Sequence, residues 1–122
     1  MATVEEDPAR EARFQNEILV DAYGPEEQAL GWYYYLEGAL PFPFTAGCLR
    51  ELRISPLKTG EQVRVIGMLP EEDCAYEMYV EIEWCGRTLG VPLAQLAPVD
   101  AGPAAEQASA DWHYWVARGY QF

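Results

Sequence analysis

Basic side chains are scarce in this chain. Eight Lys and Arg residues stand against 20 Asp and Glu, giving a formal charge of −12. That deficit excludes a surface for phosphate backbones, which needs a concentrated basic patch, and it argues against docking on anionic lipid. Histidine is nearly absent: His113 stands alone, too few for a His-based zinc site. Cys48, Cys74 and Cys85 are odd in number and share no C-x-x-C spacing. They exclude a disulfide framework and a zinc knuckle, and read as free thiols of a reducing, cytoplasmic compartment. No apolar run reaches membrane-spanning length, and the opening MATVEEDPAR is acidic rather than a basic leader. The Gly-rich dinucleotide loop, the P-loop, H-E-x-x-H and the EF-hand loop are all missing. Ser55 and Ser109 have no base beside them, so no catalytic set is visible and an enzyme is not expected.

What is present is a folding chain. Half of its 122 residues are hydrophobic and 13% aromatic, enough for one domain with its own core. Residues 1–8 are acidic and end at Pro8; they are expected to be disordered, ahead of a single domain over 9–122. From Ala9, the spacing of Phe14, Ile18 and Ala22 predicts a helix. A second begins at Pro25, with Glu26 and Glu27 at its positive end. Its apolar stripe is Ala29, Trp32, Tyr33, Leu36 and Leu40, and Gly38 is the expected left-handed stop.

Past Pro41 and Pro43 the period changes to two. FTAGCLREL, QVRVIGM, MYVEIEW and RTLGVPL read as strands, with Met78, Val80, Ile82 and Trp84 inward. Cys85-Gly86 makes a tight turn, PLAQL a helical turn, and Pro98–Val99 an edge strand. A final helix from about Pro103 carries Ala104, Ala108, Trp112 and Trp115 on one stripe, closed by Arg118 and Gly119. These spacings predict an α+β fold: a small SH3-like antiparallel β-barrel with flanking N-terminal helices and a C-terminal helix.

Between Arg64 and Arg87 lie six carboxylates and no basic side chain: Glu71, Glu72, Asp73, Glu77, Glu81 and Glu83. Crowded like charges must be solvated, protonated or bridged by a cation. A loop can wrap calcium in six to eight oxygens, whereas alternate residues on a strand sit about 6.6 Å apart. Glu71, Glu72, Asp73 and Glu77 are therefore the better ligand candidates. From spacing alone, a solvated acidic face is the commoner outcome. Trp32, Tyr33, Tyr34 and Tyr35 with Trp112, Tyr114, Trp115 and Tyr120 read as packed helix faces more readily than as a ligand cage.

The blocks DAYGPEEQALGWYYYLEGALPFPFTAGC, ISPLKTGEQVRVIGM, EEDCAYEMYVEIEWCGRTLGVPLAQL and ADWHYWVARGYQF resemble the cyanobacterial calcium-binding protein family (CcbP-like). The likeness runs from about Asp21 to the C-terminus. It implies a small, acidic, cytosolic, non-EF-hand calcium binder with helices around a β-barrel. It also implies Ca²⁺ ligation by Glu71, Glu72, Asp73 and Glu77, with Glu37 contributing after the GWYYYL helix. Gly38 stands where the resemblance leads one to expect a second acid. Two functions fit these residues. One is a monomeric calcium binder that buffers or senses cytosolic calcium. The other is an SH3-like interaction module whose acidic surface recognises a basic protein partner.

Overall fold

The computed structural model describes residues 4–122. Of the stretch 1–8, residues 1–3 lie outside the described residues. Further on, the Val4 carbonyl accepts a hydrogen bond from Arg118 at 2.8 Å, and the Asp7 amide donates to the Tyr114 hydroxyl at 2.8 Å. Asp7 also caps helix α1, Pro8–Arg13, its carboxylate accepting from the Ala9 and Arg10 amides. The backbone then widens into a π-helical turn over Phe14–Ile18, which buries both end residues. The expected helix through Ala22 therefore stops early. A five-residue turn rotates the following side chains off the i+4 stripe, and Asp21 takes a positive φ of 57°.

Helix α2, Pro25–Ala39, starts at the expected proline and buries Ala29, Trp32, Tyr33 and Leu36. Gly31 sits inside it because a Cβ there would lie 2.4 Å from the Ile18 carbonyl oxygen; only glycine lets the helix approach the π-helical turn so closely. Gly38, expected to stop the helix, lies within it, and the chain leaves through an extended Leu40. Helix α3, Pro103–Ala117, buries Ala105 rather than the expected Ala104, together with Ala108, Ser109, Asp111, Trp112 and Trp115. Its end matches expectation. Gly119, at φ 79°, donates to the Val116 carbonyl while Tyr120 donates to that of Trp115.

Five strands follow in the order the alternation suggests: β1 Phe44–Cys48, β2 Gln62–Met68, β3 Tyr79–Trp84, β4 Arg87–Pro92 and β5 Leu96–Val99. β1 is shorter than FTAGCLREL, ending where Cys48 is buried and Leu49 turns to solvent. All pairings are antiparallel, and the sheet order is β4-β3-β2-β1-β5. The expected closed barrel does not form. After the 3₁₀ turn Leu93–Gln95, β5 pairs, among the described residues, with β1 alone, leaving β4 and β5 as opposite edges of an open sheet. The helices supply the cover that closure would have given. Among the described residues no helix is long and apolar enough to cross a membrane.

Trp32 centres the helical half of the core. Its ring lies 5.3 Å from Phe14, 5.0 Å from Trp112 and 5.5 Å from Trp115. Beneath it the sheet contributes Val65, Val80, Ile82 and Val91, all fully buried. Asp111 is fully buried as well, and its carboxylate gathers the three helices. Arg10 donates to Oδ1 at 2.5 Å, Arg13 to Oδ2 at 2.8 Å, and the Tyr35 hydroxyl to Oδ2 at 2.7 Å. Burial by itself would raise the Asp111 pKa, but hydrogen bonds from Arg13, Tyr35 and Arg10 outweigh it and hold the carboxyl below the usual range.

Removing the charge at Asp111 leaves Arg10 and Arg13 without their buried counter-ion, so Asp111→Asn is expected to cost about 3–5 kcal/mol. Urea unfolding monitored by tryptophan fluorescence measures this. Because the folded pKa lies below the unfolded one, the contribution is present above about pH 4 and is lost as pH falls further. The acid limb of stability should therefore be flatter in Asp111→Asn than in the parent.

Candidate metal site

Pro70 introduces a single 3₁₀ turn, Glu71–Cys74, closed by the Asp73 amide donating to the Pro70 carbonyl at 2.9 Å. Cys74 is its buried residue, and the Cys74 sulfur accepts from the Tyr79 amide at 3.4 Å. With that side chain plugged inward, Glu71, Glu72 and Asp73 are left exposed. α2 is fixed against the turn by the Tyr33 hydroxyl, which donates to the Leu69 carbonyl at 2.7 Å. One residue on, the Tyr34 hydroxyl donates to Glu71 Oε1. The phenols register the field of the carboxylates around them. Tyr33 is pushed up to about 12, first by burial and then by Glu37, Cys74 and Glu71. Tyr34 is raised by its hydrogen bond to Glu71 and, more weakly, by the charge of Glu37.

Between α2 and the turn lies a cavity of about 370 Å³ lined by Glu26, Ala29, Leu30, Tyr33, Glu71, Glu72 and Ala75. Two of the five expected ligands, Glu71 and Glu72, line it. Glu37 is exposed on the adjoining end of α2, within electrostatic reach of the same two tyrosines. Asp73 is exposed at the turn but does not line the cavity. Glu77 does not line this cavity, although the Cys74 thiol beneath the turn, raised first by burial, also feels the charges of Asp73 and Glu77. Glu77 lines a different cavity, of about 410 Å³, with Tyr76, Trp112, Trp115, Tyr120 and Phe122. On β3, Glu83 pairs with Arg64 of the neighbouring strand at 3.3 Å. Glu26 lies in the first turn of α2, where the positive end of the helix by itself accounts for an acid. Helical spacing also sets Glu26, Leu30, Tyr33 and Glu37 on one stripe of α2.

Among the described residues no group of three or more His, Cys, Asp or Glu side chains stands ready to hold a metal ion. The donors are nonetheless of one chemical kind. Glu26, Glu71 and Glu72 offer only carboxylate oxygen, with no thiolate or imidazole in the cavity lining, which suits a hard divalent cation and not zinc or copper. The donor chemistry fits such an ion, and the arrangement is an acidic face rather than a closed cage. His113 takes no part, its Nε2 bonding the Leu96 carbonyl at 2.7 Å. Burial lowers its pKa.

The sequence model of the CcbP family, described as calcium binding, matches residues 12–116. Two solved structures are similar over the whole of both chains. One is the crystal structure of Anabaena CcbP, at 41% identity and a TM-score of 0.88. The other is a calcium binding protein in the calcium-binding form, at 41% identity and a TM-score of 0.85. No curated protein matches.

Glu77 offers a separate check on the placement of the acids. Burial raises its pKa, against a hydrogen bond from the Met78 amide that lowers it. A raised carboxyl binds its proton more tightly in the folded state. Stability is therefore fully present below the unfolded value, near pH 4.3, and is lost as pH rises through the folded one. Glu77→Gln should raise the urea midpoint at pH 7 and leave it unchanged at pH 4, as chemical denaturation at the two pH values will report.

Proposed function

The chain belongs to the CcbP calcium-binding family, and from that premise we propose that it binds Ca²⁺ on the acidic face shared by α2 and the 71–74 turn. The observation that carries this reading is the contact between Tyr34 and Glu71, 37 residues apart in the chain. It sets the carboxylates of the turn beside those of the helix. Glu71 and Glu72 would hold the ion, with Glu26 and Glu37 from α2 and Asp73 from the turn within the same face. Backbone carbonyls and water would complete the shell. Bound there, calcium supplies a double positive charge that relieves repulsion among these side chains, which is a stabilising role and not a catalytic one. A loose set of surface carboxylates favours calcium over magnesium, because the smaller ion demands a rigid octahedron and sheds water reluctantly.

We read the protein as a monomeric, non-enzymatic calcium buffer or sensor of the cytoplasm. Its three free thiols support a reducing compartment, and its charge of −12 opposes self-association. The strand order β4-β3-β2-β1-β5, with a 3₁₀ turn before β5, supports reading the sheet as an opened SH3-like barrel.

Isothermal titration of chelator-treated protein should show saturable calcium uptake and weaker magnesium uptake. Glu71→Gln with Glu72→Gln should lower calcium affinity at least about tenfold, or 1.4 kcal/mol; Glu77→Gln should change it by less than about threefold. At one hundred times Kd, calcium should add about 2.7 kcal/mol of stability. Uptake that survives the Glu71/Glu72 change intact would place the ion elsewhere.

A further inference from the structure

The outward stripe of α2 carries more than acids. Leu30 is 38% exposed and Tyr34 53% exposed, one helical turn apart and on the same face. Leu30 opens directly onto the cavity floored by Ala29, Tyr33 and Ala75. Glu26, Glu71 and Glu72 rim that cavity, and no Lys or Arg is among its lining residues. An apolar recess with carboxylates around it matches one kind of occupant: an apolar side chain flanked by positive charge. A second copy of this chain is a poor fit, since it would bring another −12 charge against the same rim.

We propose that this face docks a short basic segment of another protein through one apolar anchor, and that the segment and Ca²⁺ compete for the same carboxylates. The competition rests on the calcium reading above; the docking does not. Glu71 and Glu72 cannot serve an ion and a row of Lys or Arg side chains at once. Rising calcium therefore releases the segment, and the segment weakens calcium uptake by the same factor. Many calcium sensors expose an apolar groove when they load; this face would do the opposite, holding its partner in low calcium.

The test uses a labelled hexapeptide of Lys and Arg around one central Leu, and a counterpart of equal charge with Ala in place of Leu. Fluorescence anisotropy on the full chain should show the Leu peptide binding at least about tenfold tighter, the effect of burying one aliphatic side chain. Leu30→Gln should bring the two peptides to similar affinity, and CaCl₂ should displace the Leu peptide where NaCl of equal ionic strength does not. Equal binding of both peptides reduces the face to unspecific charge and overturns the proposal. So does sedimentation of the parent as a dimer that Leu30→Gln dissolves, which assigns the face to a second copy. Calcium titration without peptide separates the two readings. Saturable uptake with no Leu-dependent docking sinks this inference alone. Leu-dependent docking without calcium uptake sinks the calcium site and, with it, the competition.

Discussion

A fully buried carboxylate imposes the main constraint on this molecule. Asp111 is shut off from the protein surface, and its charge is sustained by Arg10, Arg13 and Tyr35. Those partners come from α1 and α2, while Asp111 lies on α3. An uncompensated charge in such a place would be severely destabilising, so the three helices must meet in one arrangement or not at all. Trp32 and its ring of Phe14, Trp112 and Trp115 add the apolar area, but dispersion and burial tolerate small shifts that the Arg13 guanidinium, donating to both Asp111 oxygens, does not. The ion cluster specifies; the aromatic cluster stabilises.

That arrangement decides what α2 can present on its other side. With Trp32 and Leu36 turned inward, the stripe of Glu26, Leu30, Tyr33, Tyr34 and Glu37 must face the 71–74 turn or solvent. Tyr33 reaches the Leu69 carbonyl and Tyr34 reaches Glu71, so two adjacent tyrosines weld the helix to the turn. Cys74, buried beneath the turn, holds it from below. The result is a face whose charges are held near one another by the fold and not by mutual attraction. The carboxylates that line the cavity there, Glu26, Glu71 and Glu72, have no Lys or Arg beside them in its lining.

Much of the secondary structure was legible from residue spacing. Pro25, Pro103 and the strand alternation around Val80 and Ile82 located their elements within a residue or two, because capping and pleating are local effects. The misreadings have local causes as well. The π-helical turn at Phe14 broke a four-residue stripe that looked continuous, and Gly38 stayed helical because nothing after it needed a left-handed turn. Ala104 and Ala105 differ only in which way the helix is rotated, which packing decides. Closure of the sheet depended on whether β4 meets β5, a long-range pairing without a local signal.

The acidic site divides in the same way. Composition alone established a surplus of negative charge with hard oxygen donors and few competing nitrogen or sulfur ligands, since ligand chemistry is a property of side chains wherever they lie. Which carboxylates line one cavity is decided only in three dimensions. Glu71 and Glu77 are six residues apart in sequence, yet they line different cavities, while Glu26, far upstream, lines the same one as Glu71. Charge is written into the chain; proximity is made by the packing of α2, which rests on the burial of Trp32 and the neutralisation of Asp111.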